Sequence, residues 1–387
     1  MNQQKLKDHI LEIISPIKEV DQGTQANKNF LFNAKRTDAG RSLPPYYLVY
    51  FLFVDLLNFR NLGQFEKIAW SVPIEYEGKA FLIEHRKFGL GIFAADLATD
   101  ETQAEEIAQR IRDAVMAAQP YFDDLADQAA GSDALNVVNH APELFERHRY
   151  YLDQYQSRRD EAERRKDERI KTESKTESGL NAIISFPAVS IRREAKWLAL
   201  SSIETFFSWT EHVFILIGIL KGKLPTGRDV KRLANANWYQ KFETALDISD
   251  QVTKDFYDEL KIIRQQLRNF DAHGSFGKNR EAFQFHSSVG AVPLRLPYQI
   301  GDDELKFGHG VEFVEHEAIE TIIKFTEHLW QGDNEPAYTY IQDYGLVLIL
   351  SYVSNGNYAD AMQNDKLMIE FCDFLAQTMD RYANMDF

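Results

Sequence analysis

Apolar positions recur at helical spacing over residues 5–20, where Leu6, Ile10, Ile13, Ile14 and Ile17 share a face and Pro16 stands near the end. Residues 21–45 are polar and carry Gly23, Gly40, Pro44 and Pro45, which predicts a loop. Tyr46–Phe59 is an apolar run that predicts a buried helix. The period then changes to two: Ile68, Trp70, Val72, Ile74 and Tyr76 alternate with Ala69, Ser71, Pro73 and Glu75, which predicts a strand with one buried face. Gly78 and Lys79 mark a turn, and Ala80–Phe93 continues as one or two strands. Asp100–Ala118 reads as a helix with Ala104, Ile107, Ala108, Ile111 and Val115 on one face and Thr99 or Asp100 as its cap.

The pattern shifts near Pro142. Arg158–Lys175 interleaves opposite charges at helical spacing with Ile170 as nearly its only apolar residue, which predicts an exposed connecting helix. From Ile191 the pattern is mainly helical, with helices expected over Ile191–Leu220, within Arg228–Leu246, over Gln251–Ala272, over His316–Trp330, and over Pro336–Ser354 and Tyr358–Tyr382. Residues 281–314 hold Pro293, Pro297, several glycines and alternating apolar positions, which suggests an inserted hairpin. The expected fold is α+β: a mixed N-terminal domain over 1–140, a charged helical connector over 141–180, and a mainly α-helical domain over 181–387 with a β insertion near 281–314.

Composition narrows this picture. At 387 residues the chain is long enough for two domains, and 44% hydrophobic residues exclude a disordered chain. MNQQKLKDHILEI has no long apolar run of the signal-peptide type, and the longest apolar stretches, Tyr46–Leu57 and Val213–Leu220, fall short of the roughly 20 residues that span a bilayer. A cytoplasmic protein with no membrane contact is expected. One cysteine, Cys372, allows no internal disulfide and no Cys-based metal site. The formal net charge of −15 weighs against broad, non-specific nucleic-acid binding but leaves room for a local basic cleft.

Chemistry concentrates in Gln251–Gly277, QVTKDFYDELKIIRQQLRNFDAHGSFG. Phe256, Leu260, Ile263, Leu267 and Phe270 make one narrow apolar stripe, and Gly274 and Gly277 supply a helix stop. Arg268 and Asn269 then occupy the last turns and His273 the end. Asn269 and His273 are four apart and share a face. Arg268 and His273 are five apart, so an ideal helix points them about 140° from each other. They converge either if the helix unwinds at its end or if a second chain completes the site.

This segment resembles the HEPN superfamily. RNFDAHG matches its signature of an Arg, a polar residue that is often Asn, and a His after four to six intervening residues. The resemblance covers the motif and its helical setting, roughly Ile191 to Tyr382, and not the N-terminal half. It implies metal-independent endoribonuclease activity without a cofactor, in a homodimer whose motif helices face each other. It also implies a toxin-like or antiviral role, with RNA as substrate and an antitoxin or other regulatory partner. Attack of a ribose 2′-OH on the adjacent phosphate needs a base near neutral pH, which imidazole supplies, and a fixed cation for the developing charge, which a guanidinium supplies. Asn269 can donate to a phosphate oxygen or orient His273. The alternative is a HEPN-like module that binds and dimerises without turnover, in which Arg268 pairs with an acid such as Asp271 and His273 caps the helix.

Neighbouring residues extend the candidate site. On the apolar Ile191–Leu220 segment, Glu204, Ser208 and Glu211 share a stripe, and Glu204 or Glu211 is placed to hold Arg268 or tune His273, unless the stripe simply faces solvent. Lys221, Lys223, Arg228, Lys231, Arg232 and Lys241 interleave with Trp238 and Tyr239, a pattern suited to phosphates and stacked bases or to a solvated loop. Arg264, Lys278 and Arg280 could extend that surface. Two rival sites are weaker. His309, Glu312, Glu315, His316 and Glu317 have no established metal-ligand spacing. Asp55, Glu77 and Lys79 echo the acidic pattern of metal-dependent nucleases, but Glu77 and Lys79 flank Gly78 in a turn.

Overall fold

The computed structural model describes residues 3–26, 28–176, 179–271, 283–288, 290–294 and 314–383. The fold is α+β, and contacts divide it into two units. One takes in the chain up to Ala130 and the end of the last helix from Gln377; the other is Gly131–Ala376.

The first unit contains α1 (Gln3–Ile14), β1 (Lys18–Glu19), α2 (Phe30–Asn33), β2 (Lys35–Arg36), α3 (Tyr46–Tyr50), β3 (Ile68–Tyr76), β4 (Lys79–Arg86), β5 (Gly89–Ala94), α4 (Leu97–Ala117) and α5 (Gln119–Ala130). The strands form one antiparallel sheet in the order β1-β3-β4-β5-β2. Glu77 and Gly78 both take positive φ, 49° and 85°, as a two-residue turn between right-twisted strands requires. Val72, Ile74, Tyr76, Phe81 and Ile83 pack with Leu6, Ile10, Phe53, Ile107 and Ile111. The expectation of one buried face on β3 needs correction, because both faces are covered. The 21–45 stretch is not a bare loop: Phe30 and Ala34 lie against Leu82 and Phe93 on the second face. The polar residues there are paired, Lys18 with Glu75 at 3.0 Å and Ser71 with Glu84 at 2.8 Å. The expected cap of α4 also moves. Asp96 caps it, accepting from the Ala98 amide, while Asp100 is buried against Lys79.

The second unit is built on α6 (Ala141–Arg164) and α7 (Pro187–Leu220), which run antiparallel. Phe145 meets Trp209 with ring centroids 4.7 Å apart, the ring of buried His148 meets the Ser202 carbonyl at 2.9 Å, and Arg158 reaches Glu194 at 3.6 Å. Residues 141–164 therefore belong to the helical core rather than to a connector. Nor does the charged stretch stay helical. Its ion pairs cluster on Arg158–Glu168, and beyond them Ile170, Thr172 and Thr176 fall at even spacing. Residues Ile170–Thr176 (β7) and Gly179–Ser185 (β8) form an antiparallel hairpin, after the short β6 (Asn136–Val137) earlier in the chain.

After α7 come α8 (Gly227–Ala234), α9 (Trp238–Ala245), α10 (Gln251–Asp271), the hairpin β9 (Phe283–Ser287) and β10 (Gly290–Leu294), and α11 (Glu315–Leu329). The hairpin falls within the expected 281–314 insertion. The single helix expected over Pro336–Ser354 is broken into α12 (Glu335–Tyr338), a π-helical turn, β11 (Leu348–Ile349) and α13 (Ser351–Ser354). Gly345 takes φ of 60° there, and the Tyr340 hydroxyl donates to the Val347 carbonyl at 2.7 Å. Two helices, α14 (Asn357–Ala361) and α15 (Asp365–Ala383), close the described chain. Cys372 is fully buried, and burial pushes its thiol pKa up to about 12, which fits a small hydrophobe. Among the described residues α7 is the one helix long and apolar enough to cross a membrane, but 67% of its most apolar stretch is buried inside the protein.

Candidate functional site

The core of the second unit places the candidate motif. α7 buries Phe206, Phe207, Trp209, Thr210, Val213 and Phe214, so it contacts neighbours on several sides. α9 runs parallel to it: the Trp238 indole donates to Thr210 Oγ1 at 3.0 Å near its start, and the Ala245 carbonyl meets Lys221 near its end. The chain then reverses, and α10 returns antiparallel to both, with the Tyr257 ring 5.2 Å from Phe242 and Arg264 level with Trp238 and Glu211. Thr253, Leu260 and Ile263 are buried and Phe256 half-buried, which follows the expected stripe as far as Ile263.

At that level three helices are tied through one carboxylate. Glu211 of α7 accepts from Arg264 of α10 at 2.5 Å and from Lys241 of α9 at 2.8 Å. Lys241 is only 4% exposed, so its charge requires this partner. The Arg264 guanidinium stands 5.2 Å from the Phe207 ring and 5.8 Å from the Trp238 ring. Burial works to raise the Glu211 pKa, but the hydrogen bonds from Lys241 and Arg264 outweigh it, and the net direction is down.

Several expected roles change. Both Glu211 oxygens are engaged, one by Lys241 and one by Arg264, while the Arg268 and His273 side chains that Glu211 was expected to hold or tune lie outside the described residues. Arg264 points into this cluster and does not extend a surface. Trp238 is 1% exposed and cannot stack on a base. Lys221 and Lys223 donate at 2.8 Å and 2.6 Å to the carbonyls of Ala245 and Thr244, where they satisfy the C-terminal end of α9. Arg232 pairs with Asp229 at 2.5 Å. Arg228 and Lys231 lie exposed on α8. Of the basic and aromatic run that suggested an RNA surface, Lys221 and Lys223 thus serve a helix end and Lys241 and Trp238 are buried, while Arg228, Lys231 and Arg232 stand at the surface of α8. Glu204 is exposed on α7 beside Ser208, which accepts from Arg147 at 3.3 Å.

Arg268 and Asn269 stand in the last turns of α10, which is helical through Asp271. Their side chains, and His273, Lys278 and Arg280, lie outside the described residues. Position 268 follows Arg264 by one turn, about 6 Å further along the axis and about 40° around it. Because α10 is antiparallel to α7, those turns run toward the level of Ser208 and Glu204. Any unwinding that brings Arg268 and His273 together within one chain is confined to residues after Asp271.

The rival sites do not gain from their surroundings. Lys79 is held by Asp100 at 2.8 Å, and Glu77 is in the turn. Glu315 pairs with Lys196 at 3.2 Å, while His309 and Glu312 lie outside the described residues. Among the described residues no His, Cys, Asp and Glu side chains gather as a metal site. The sequence reading missed the Glu211–Lys241–Arg264 cluster, because residues 30 and 53 positions apart leave no local periodicity. Comparison with known proteins returns no match among family models, curated proteins or solved structures.

Proposed function

We propose that the second unit is a HEPN-type endoribonuclease that cleaves RNA without a metal, through attack of the 2′-OH on the adjacent phosphate. His273 acts as the base, Arg268 stabilises charge on the phosphorane, and Asn269 holds a phosphate oxygen or orients His273. The carrying observation is the Arg268-Asn269-x3-His273 sequence at the end of a long amphipathic helix. That helix is fixed to the central helix by a clustered ion pair one turn before the motif. A base and a cation on adjoining turns need such an anchor, because small misplacements of reacting groups are costly in rate. The proposal includes a homodimer in which two motif helices meet, cytoplasmic location, and a toxin-like or antiviral role under a regulatory partner.

The test is cleavage of RNA in EDTA by the full chain and by His273→Ala. Cleavage by the wild type that falls about 10²- to 10⁴-fold in His273→Ala is expected. Equal, negligible activity in both, with dimerisation retained, would point to a binding module instead.

A further inference from the structure

A cleft of about 840 Å³ opens where the second half of α6, the first turns of α7 and the start of α11 meet. Arg159 lines it from α6, and Arg192, Arg193 and Lys196 line it from α7. Helical geometry explains the grouping. Ile191, Ala195 and Ala199 are buried, which leaves Arg192 with Lys196, and Arg193 with Trp197, as two outward rows of residues four apart. Of the acids in the cleft, Glu163 is held by Lys166 at 2.5 Å and Glu315 by Lys196 at 3.2 Å. The lining then carries Arg159, Arg192, Arg193 and Lys196 against Asp160, Glu163 and Glu315, a small local positive excess in a chain whose formal charge is −15, with Arg192 also acting on Glu163. On the rim, Trp197 is 59% exposed, with the Arg193 guanidinium 5.8 Å from its ring.

The cleft also lies toward the end of the bundle where the motif sits. α10 is antiparallel to α7, and α11 is antiparallel to α10 through Thr253–His328 at 2.9 Å and Glu259–Thr321 at 3.1 Å. The end of α10 and the beginning of α11 therefore both lie toward the start of α7. Lys196 is fifteen residues before Glu211, and Arg268 four after Arg264, which leaves about 16 Å between their levels along the axis.

We infer that this cleft holds the backbone of single-stranded RNA, with Arg159, Arg192 and Arg193 on phosphates and Trp197 stacking an unpaired base. The inference rests on the nuclease reading for its substrate class and would supply that site with further contacts to the RNA backbone. Guanidiniums pair bidentately with phosphate oxygens, and an exposed indole beside them is a platform that any base can use. The chain's overall charge would repel RNA at long range, so a local excess of arginine is what binding requires.

The experiment uses the full chain carrying His273→Ala, so that substrate survives, and a fluorescein-labelled single-stranded RNA of about 20 nucleotides followed by anisotropy across a salt series. Arg192→Glu/Arg193→Glu is expected to weaken binding at least tenfold and to flatten the salt slope by about 1.4. Trp197→Ala is expected to weaken it about fivefold or more. Lys324→Glu/Lys366→Glu makes the same charge change on exposed positions outside the cleft and is expected to stay within about twofold of the parent. The inference is overturned if the cleft variants bind like the parent, if the control loses as much as they do, or if the parent binds no RNA. A duplex bound as tightly as the single strand, with Trp197→Ala without effect, overturns the single-strand assignment. Loss of binding in the cleft variants with no cleavage by wild type would sustain the cleft and reject the nuclease. His273-dependent cleavage with normal binding in the cleft variants would do the reverse.

Discussion

At the scale of single residues, neutral and charged groups are kept in their states by specific contacts. His212 of α7 shows this outside the proposed site. Its Nε2 accepts the backbone N–H of His140 at 3.0 Å, just before α6 begins, so the ring is needed neutral. Burial, with a smaller contribution from the charge of His140, pulls its pKa down to about 4. A histidine held neutral when folded takes up its proton more readily when unfolded, where its pKa is about 6.5. The stability it contributes is therefore complete above about pH 6.5 and is lost as pH falls from there toward 4. Thermal melts from pH 7 to pH 5 should show the wild type losing on the order of 1 kcal/mol through this group, after a discount for its partial exposure. His212→Gln keeps an acceptor but cannot titrate, and its pH profile should be flatter over that interval. Equal slopes in the two proteins would show that His212 titrates freely when folded.

Among elements, the junction of α7, α9 and α10 matters most. Glu211→Gln keeps the shape but leaves Lys241 buried and Arg264 half-buried without a counter-charge. We expect a loss of about 1–3 kcal/mol, because the Glu211 side chain is 33% exposed and water moderates the penalty. The depressed pKa of Glu211 gives the wild type stability that is present above the unfolded value of about 4.3 and lost as pH falls below it, a dependence the variant should lack. RNA cleavage should fall in Glu211→Gln even at temperatures where it stays folded, since the turn before Arg268 is released. Full activity in a destabilised variant would show that the clamp serves the fold alone.

The same scale explains what the sequence could reveal. α10 and the β3–β4 hairpin follow from periodicity, because their apolar residues recur at 3.6 or 2 residues, and α7 follows from a long apolar run that is buried on several sides. The Asp229–Thr226 capping box and the carbonyls that receive Lys221 and Lys223 were hidden, because a cation closing a helix end looks like a cation awaiting phosphate until the helix end is located. Residues 158–175 misled in the opposite way: interleaved charges support a helix only as far as the pairs around Arg165, after which even-numbered Ile170, Thr172 and Thr176 favour a strand. In the candidate site, the motif and its helix were legible. Which acid holds which base was not, since Glu211 sits equally well on paper opposite Arg264 or Arg268.

For the molecule as a whole, the proposed nuclease makes oligomeric state a question that experiment can settle. α10 is helical through Asp271, and the proposed site needs Arg268 and His273 to meet either within one chain or across two. Mixing Arg268→Ala with His273→Ala separates these routes. If each site takes Arg268 from one chain and His273 from the other, a mixed dimer has one intact site and one doubly defective one. Random exchange should then restore about a quarter of wild-type activity, as half of the dimers are mixed. Sites formed within single chains would remain inactive after mixing.

Cleavage itself is most directly tested by the chemistry of the new RNA ends. With purified full-length protein in EDTA, each cut is expected to leave a 2′,3′-cyclic phosphate and a 5′-hydroxyl, and a single 2′-deoxy substitution at the cut position should abolish cleavage there. A 5′-phosphate end, or undiminished cleavage of the 2′-deoxy substrate, would contradict the proposed roles of Arg268 and His273.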